Sequence, residues 1–490
     1  MAETPGKSRG RAAGAENWIP LPLDKGLFAN TDPEVVVGYQ TALENAFVNE
    51  LGGISRFPGL QTFCDFSTVD NSRVHALRDF EGDLIAATQR GSVFRIGQDG
   101  RFINCTKVPV SGGLRTIMAP TNQELLLAAG GPIVRLRQST TELLSDQAPD
   151  AGYIGWIDGF TIACEINTFA WFYANPGVVD QWPALNSFAA DSNPDNITCF
   201  LIDPFRELLF GAAGKIEQWE RQTIGTTPFF RRWAIGDGVK LPYGMVWADN
   251  ACFVINQRTE LVKFAAQISQ NVGGEIGLLL ENIDDWTDAW IGGYPDKPLN
   301  TIGQKFILIQ APNATNEYGT KGVTIIFDYR NKKFFTIYGW DSQLGLPTRW
   351  PGWSHWPLWD QVFVGGQGKI YALTTDTYQN DGMLQRWLVR TSHIAEGNMF
   401  QIKDFRLRLK RGLGTPLPNA PPIIQVRCRR DGRPFGPWIS RDLGVPGDNL
   451  QFKSFGHFGT ATSFMFEISS ADNVPIDLIH AEVKGFVVGH

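Results

Sequence analysis

Carboxylates are the residues of this chain best placed to do chemistry. Asp284 and Asp285 are adjacent in ENIDDWTDAW, and Glu207 and Glu217 fall within ELLFGAAGKIEQW. A pair of acids flanking a glycosidic bond can act as general acid and as base or nucleophile, at a separation of about 5 to 10 Å. Chain spacing does not set that separation here, and scattered acids are ordinary on a strand-rich surface. The six histidines (His75, His355, His393, His457, His480, His490) are isolated from one another and from acidic clusters, so each reads as structural rather than as a metal ligand. The six cysteines form no C-x-x-C and sit mostly inside apolar runs such as ITCF and ACFV, as expected of buried thiols made in a reducing compartment. GGPIVRL and FGAAGKIE carry glycines but lack the following helix that a phosphate loop or dinucleotide turn requires. No catalytic, cofactor-binding or metal-ligating residue is assigned, no cofactor is expected, and the chain reads as a non-enzyme.

The elements that would have to position any such residue repeat. LIAATQRGSVFRI (84–96) returns as LLLAAGGPIVRL (125–136), LLFGAAGKIEQW (208–219) and VFVGGQGKIYAL (362–373). Each copy is an apolar strand ending in small residues, a turn holding Gly91, Gly131, Gly214 or Gly368, and a second, alternating strand. Arg258 takes the turn position in VINQRTELVKF. A period near 40 residues with one antiparallel sheet per unit marks a β-propeller. Sheet units are expected at 74–106, 113–144, 151–190, 197–234, 243–272, 300–340 and 350–376, making six or seven blades depending on whether the chain ends share one.

The 490 residues exceed one ordinary core, so a second unit is expected. The domain reading is a flexible arm over 1–16, an N-terminal segment over 17–70 packing on the second domain, a propeller over 71–382, and an antiparallel β-sandwich over 383–490. Ile276, Leu279, Leu280 and Ile283 at helical spacing predict a helix inserted over 275–290. The arm has basic residues but no apolar core of a secretory signal. No run of about 18 apolar residues predicts a membrane-spanning helix.

A formal charge of -6 gives no global footprint for a polyanion. The dense basic tract is FRLRLKRG, where alternation places Arg406, Arg408 and Lys410 on one strand face. RWPGWSHWPLW concentrates Trp350, Trp353, Trp356 and Trp359. These seven residues are the candidate interface, since Trp and Arg anchor buried contacts between proteins; the aromatic tract also suits a sugar groove or the packing of a blade edge. RRDGRPFGPW (429–438) is similar to the S-x-D-x-G-x-x-W turn of sialidase blades, but it occurs once, carries Arg429 where Ser or Thr belongs, and lies outside the propeller.

The stretch 152–219 carries a more specific likeness. An aromatic strand holding Trp171-Phe172 precedes Ala190, Pro194, Asp195 and Ile197, then ELLFG with Glu207, Phe210 and Gly211, then IEQW with Glu217 and Trp219. This block resembles the packaged-DNA stabilisation proteins of short-tailed bacteriophages, also called tail hub or nozzle proteins. The likeness extends more weakly through the expected helix at 275–290 and the strand pair KFILIQAP and VTIIFDYRNKKFFTIYGW, and to ENAFVNELGGISRFPGL. It implies a structural virion protein made in the host bacterial cytoplasm, with six copies forming a ring below the portal and its adaptor. The ring would extend the DNA channel, help retain the packaged genome and carry a fibre, spike or needle, while DNA passes without sequence-specific contact. A carbohydrate- or receptor-binding propeller is the alternative, and a propeller glycosidase a more distant one.

Overall fold

A computed structural model describes residues 17–29, 39–192, 195–223, 227–265, 267–292, 299–301, 304–410, 421–444 and 452–488. The expected arm and Pro194 lie outside them. The chain is all-β and divides into two compact units, one of residues 27–30 and 57–386, the other of 1–26, 31–56 and 387–490.

The larger unit is a seven-bladed β-propeller. Five four-stranded antiparallel sheets follow in order along the chain, spanning 74–104, 117–143, 151–189, 197–235 and 245–271. Blade 6 is built from Trp290–Gly292, Gln304–Thr315, Lys321–Asp328 and Lys333–Thr336. Blade 7 takes Ser354–Leu358, Gln361–Gly365 and Lys369–Thr374, and its outer strand is Gly59–Asp65, from far earlier in the chain. The ends of the propeller thus share one blade. The ring closes where blade 7 meets blade 1: Ser354 Oγ donates to the Val74 carbonyl at 2.8 Å, and Trp356 Nε1 donates to Asp79 at 2.8 Å.

The stacking of blades explains the near-continuous apolar runs of their second strands, since a strand covered on both faces loses the polar alternation of a half-exposed one. In Asp83–Thr88, Ile85 and Ala87 pack with Met118, Leu125 and Leu127 of blade 2, while Leu84 and Ala86 pack with Trp356, Phe363 and Ile370 of blade 7. Each large aliphatic side chain so buried contributes about 1.5 to 3 kcal/mol.

Three boundaries differ from the sequence reading. The segment 17–70 divides: 57–70 belongs to the propeller because Gly59–Asp65 closes blade 7, while the strands within 17–56 belong to the other unit. The helix is confined to a 3-10 turn at Gly274–Ile276 and one α-turn at Gly277–Glu281. Beyond it Asp285 accepts the Thr287 amide at 2.8 Å, fixing a turn, and Asp284 accepts the amide of Thr315 in blade 6, also at 2.8 Å, tying the segment to that blade. Blade 6 consequently begins at Trp290, ten residues before the expected 300.

In the second unit, Trp387–Thr391, Ile423–Arg430 and the distal half of Gly459–Ser470 pair together. Ile394–Leu409 pairs with Gly459–Ser470 over its first half and with Asp477–Val487 over its second. Asn17–Leu21 adds to Asp477–Val487. The two halves are therefore one continuous antiparallel sheet carried by long shared strands, with Phe405 of one half stacked on Phe466 of the other at 4.5 Å.

Candidate functional site: the axial cavity of the propeller

The first strand of every blade faces the propeller axis, and together they enclose a cavity of about 490 Å³. Because the blades repeat one strand order, these strands start at the same face. Around that end stand Arg115, just before the first strand of blade 2, His75 of blade 1, Tyr243 before blade 5, Trp290 of blade 6 and His355 of blade 7. Toward the other end lie Arg78, Trp156, Ile202 and Asp203. Ile117, Ile154, Phe200 and Met245 make the wall between them largely apolar.

Arg115 organises the polar end. Its guanidinium stacks on Trp290 at 4.0 Å and donates to the Trp353 carbonyl. Trp290 is fixed in turn by donating Nε1–H to Gln310 Oε1 at 2.9 Å, and Gln310 donates to the Gly352 carbonyl at 2.8 Å. Burial, then the charge of Arg115, pushes both imidazoles down to about 3; Arg73 adds to the effect on His75. Both rings are therefore neutral at pH 7, each with one donor and one acceptor nitrogen. Neither nitrogen of His355, nor Nδ1 of His75, has a hydrogen-bond partner among the described residues. Burial holds the Tyr243 phenol well above its ordinary range, so it stays protonated. Behind this end, Arg73 and Arg349 sandwich Trp353, at 4.0 and 3.7 Å from its ring. Burial and the neighbouring Arg73 push the Arg349 guanidinium down to about 10.

Sequence reasoning treated His75 and His355 as isolated; the fold brings both to this cavity. Each is the second residue of its blade's first strand, so aligning the blades by strand order would have paired them. Arg115 has no such marker, since it precedes its strand.

The aromatic tract is not an open surface. Trp350, Trp353 and Trp356 are 1%, 4% and 0% exposed within the chain itself, so they are not available to a second copy or a sugar. Trp356 is held by Asp79 and lies under Arg78 at 4.7 Å. Trp359 is half-buried, donating to the Gly82 carbonyl at 3.1 Å and packing on Phe363. The physical reason is ring closure: the seam between blades 7 and 1 needs wide, flat side chains with a polar edge. The basic strand alternates as expected, Phe405 and Leu407 inward and Arg406, Arg408 and Lys410 outward. Arg406 is committed internally, between Trp18 at 3.6 Å and Phe452 at 4.1 Å and paired with Glu482 at 2.5 Å. Arg408 and Lys410 are exposed, the latter 3.5 Å from Asp477.

The block residues serve blades 3 and 4. Trp171, fully buried, stacks on Phe210 at 4.9 Å and meets Trp219 edge-on at 5.3 Å. Glu217, 3% exposed, accepts from the Ser192 amide at 2.7 Å and Trp219 Nε1 at 2.8 Å. Asp195 accepts from the Gly214 amide at 2.7 Å. Gly211 allows Cys199 to approach so closely that a Cβ there would lie 2.4 Å from its sulfur. Burial, with Asp203 and Glu220 nearby, pushes Glu207 up to about 7. Glu207 and Glu217 thus have separate neighbours and form no acid/base pair. Asp431 clamps a turn, accepting from Thr462 and Ser463. All six cysteines are free and buried, and the described residues hold no cluster able to bind a metal. No helix among them is long and apolar enough to cross a membrane.

No family model and no curated protein matches the sequence. Solved structures similar to this chain include a streptogramin B lyase at 11% identity and TM-score 0.40, covering 64% of this chain and 97% of that one. The WD40 β-propeller domain of Doa1 is similar at 12% identity and TM-score 0.41, covering 64% of this chain and 96% of that one. A virginiamycin B lyase from Staphylococcus aureus is similar at 10% identity and TM-score 0.40, over 64% of this chain and 98% of that one.

Proposed function

We propose that this propeller protein is a structural component of a short phage tail, assembling through its own copies into a ring, six in the resembling family, below the portal and adaptor. In this reading the ring extends the DNA channel, helps retain the packaged genome and carries a fibre, spike or needle. It requires no chemistry of this chain.

The observation that supports it is the block 152–219. Its distinctive residues are the ones that blade packing uses: Trp171, Phe210 and Trp219 form one aromatic cluster, and buried Glu217 ties the segment before blade 4 to its third strand. Side chains chosen for a shared scaffold, rather than for a reacting centre, suit a protein whose work is shape. The acidic balance of -6 is compatible with a channel wall, because phosphate contacts made by cations would hold the genome back.

The test is imaging of purified chain and of particles carrying a tagged copy. Six-fold rings of the chain and a tag at the tail are expected; a chain that stays monomeric and is missing from particles would sink the reading.

A further inference from the structure

We propose that the axial cavity binds a small amphiphilic anion, its acidic group held by Arg115, His75 and His355 and its aromatic or branched body lying against Ile154, Phe200 and Met245. This goes beyond the tail reading and does not depend on what the chain assembles with.

His355 carries the inference. It is 2% exposed, lines the cavity, and offers a donor and an acceptor nitrogen that nothing among the described residues engages. Buried polar atoms are nearly always paired, and leaving one unpaired costs about 1 to 3 kcal/mol. The missing partner of such an atom can be supplied by a ligand. His75, across the seam between blades 7 and 1, lines the same end of the cavity and has a buried Nδ1 without a hydrogen-bond partner among the described residues. A guanidinium beside two neutral imidazoles forms a donor-rich end that suits a carboxylate, sulfonate or phosphate. The cavity's acid, Asp203, follows the last residue of blade 4's first strand and so lies toward the opposite end.

The remaining wall excludes other ligand classes. A sugar presents hydroxyls on every side and would leave most of them against Ile117, Ile154, Phe200 and Met245. A polynucleotide does not fit in about 490 Å³, which is the size of a small-molecule site. Arg115 and the two imidazoles at one end, followed by the apolar middle of the wall, match a molecule with one anionic head whose body stops short of Arg78 and Asp203 at the far end.

The experiment uses full-length protein and two fluorescent probes of similar shape, the anion 1-anilinonaphthalene-8-sulfonate and the uncharged N-phenyl-1-naphthylamine. Wild-type protein is expected to bind the sulfonate at one site per chain, and Arg115→Gln to weaken it at least about tenfold, the effect of one lost charge-assisted contact. The uncharged probe should change less than about threefold between the two proteins. Met245→Trp, which fills the cavity, should abolish binding of both. Equal sulfonate affinity in wild-type and folded Arg115→Gln protein, or unchanged binding in folded Met245→Trp, overturns the proposal. Near-ultraviolet circular dichroism establishes that each variant is folded. If Arg115→Gln is not folded, the wild type decides: benzoate should displace the sulfonate and benzyl alcohol should not, and equal displacement by the two overturns it.

Discussion

Protonation and backbone conformation give the sharpest residue-scale consequences. The imidazoles of His75 and His355 titrate near 6.5 when the chain is unfolded but only at about 3 when folded. Between those values the unfolded state binds more protons, so stability is complete above pH 6.5, falls as pH drops, and is fully lost from these groups near 3. Each can contribute a slope of up to about 1.4 kcal/mol per pH unit in that window. Urea midpoints of wild type and His355→Phe, compared at pH 7 and about 5, should show the variant losing less on acidification; parallel losses would refute the assignment. Glu207 works in the opposite sense. Its raised carboxyl costs stability as pH rises from 4.5 through 7, so Glu207→Gln should raise the thermal midpoint at pH 8 and give no gain at pH 4. Gly91 was legible from the repeat alone, but its strictness was not: it lies at φ 85° and a Cβ would stand 2.0 Å from the Val110 carbonyl oxygen. Gly91→Val should therefore cost about 1 to 3 kcal/mol from backbone strain and more from that clash, read from equilibrium unfolding.

At the scale of elements, the sequence showed blades well and closure poorly. The hairpin of strands two and three is legible because both faces of strand two are covered, giving runs such as LIAAT and LLLA, and because its turn carries a glycine in four of the blades. Gly91, Gly131, Gly214 and Gly368 indeed occupy corresponding turns in blades 1, 2, 4 and 7. The closing strand Gly59–Asp65 carries no such period, since it lies about 300 residues from its partner and its pairing is set only by the finished ring. The expected helix shrinks to one turn because four apolar residues at helical spacing are also satisfied by a short turn followed by an aspartate turn at Asp285 and a tie from Asp284 to Thr315. A test at this scale is Trp171→Ala. Its indole touches Phe188, Phe210, Trp219 and Phe229, so truncation should cost about 3 to 5 kcal/mol. Loss of less than about 1 kcal/mol on denaturant unfolding would mean that blades 3 and 4 are not joined through it.

For the whole molecule, the candidate interface divides into residues buried where they hold the chain together and residues that stand on its surface. Composition could not separate them, because Trp and Arg serve both seams within a ring of blades and contacts between proteins. Trp353 lies between Arg73 and Arg349, and Trp356 bonds Asp79 across the closure seam. Replacing both with Ala should therefore unfold or loosen the propeller, at about 3 to 5 kcal/mol for each, before any assembly can be scored. Arg408 and Lys410 differ, since they stand outward on a strand whose inward residues make the core. If copies of the chain meet through that basic face, Arg408→Glu should leave unfolding within about 0.5 kcal/mol of wild type, as exposed substitutions do; Lys410 is left in place because it pairs with Asp477. The same variant should shift a six-copy ring to single chains in mass photometry. A ring that survives this change at physiological salt would move the interface off the basic strand, while a monomeric wild type would remove the reason for seeking one.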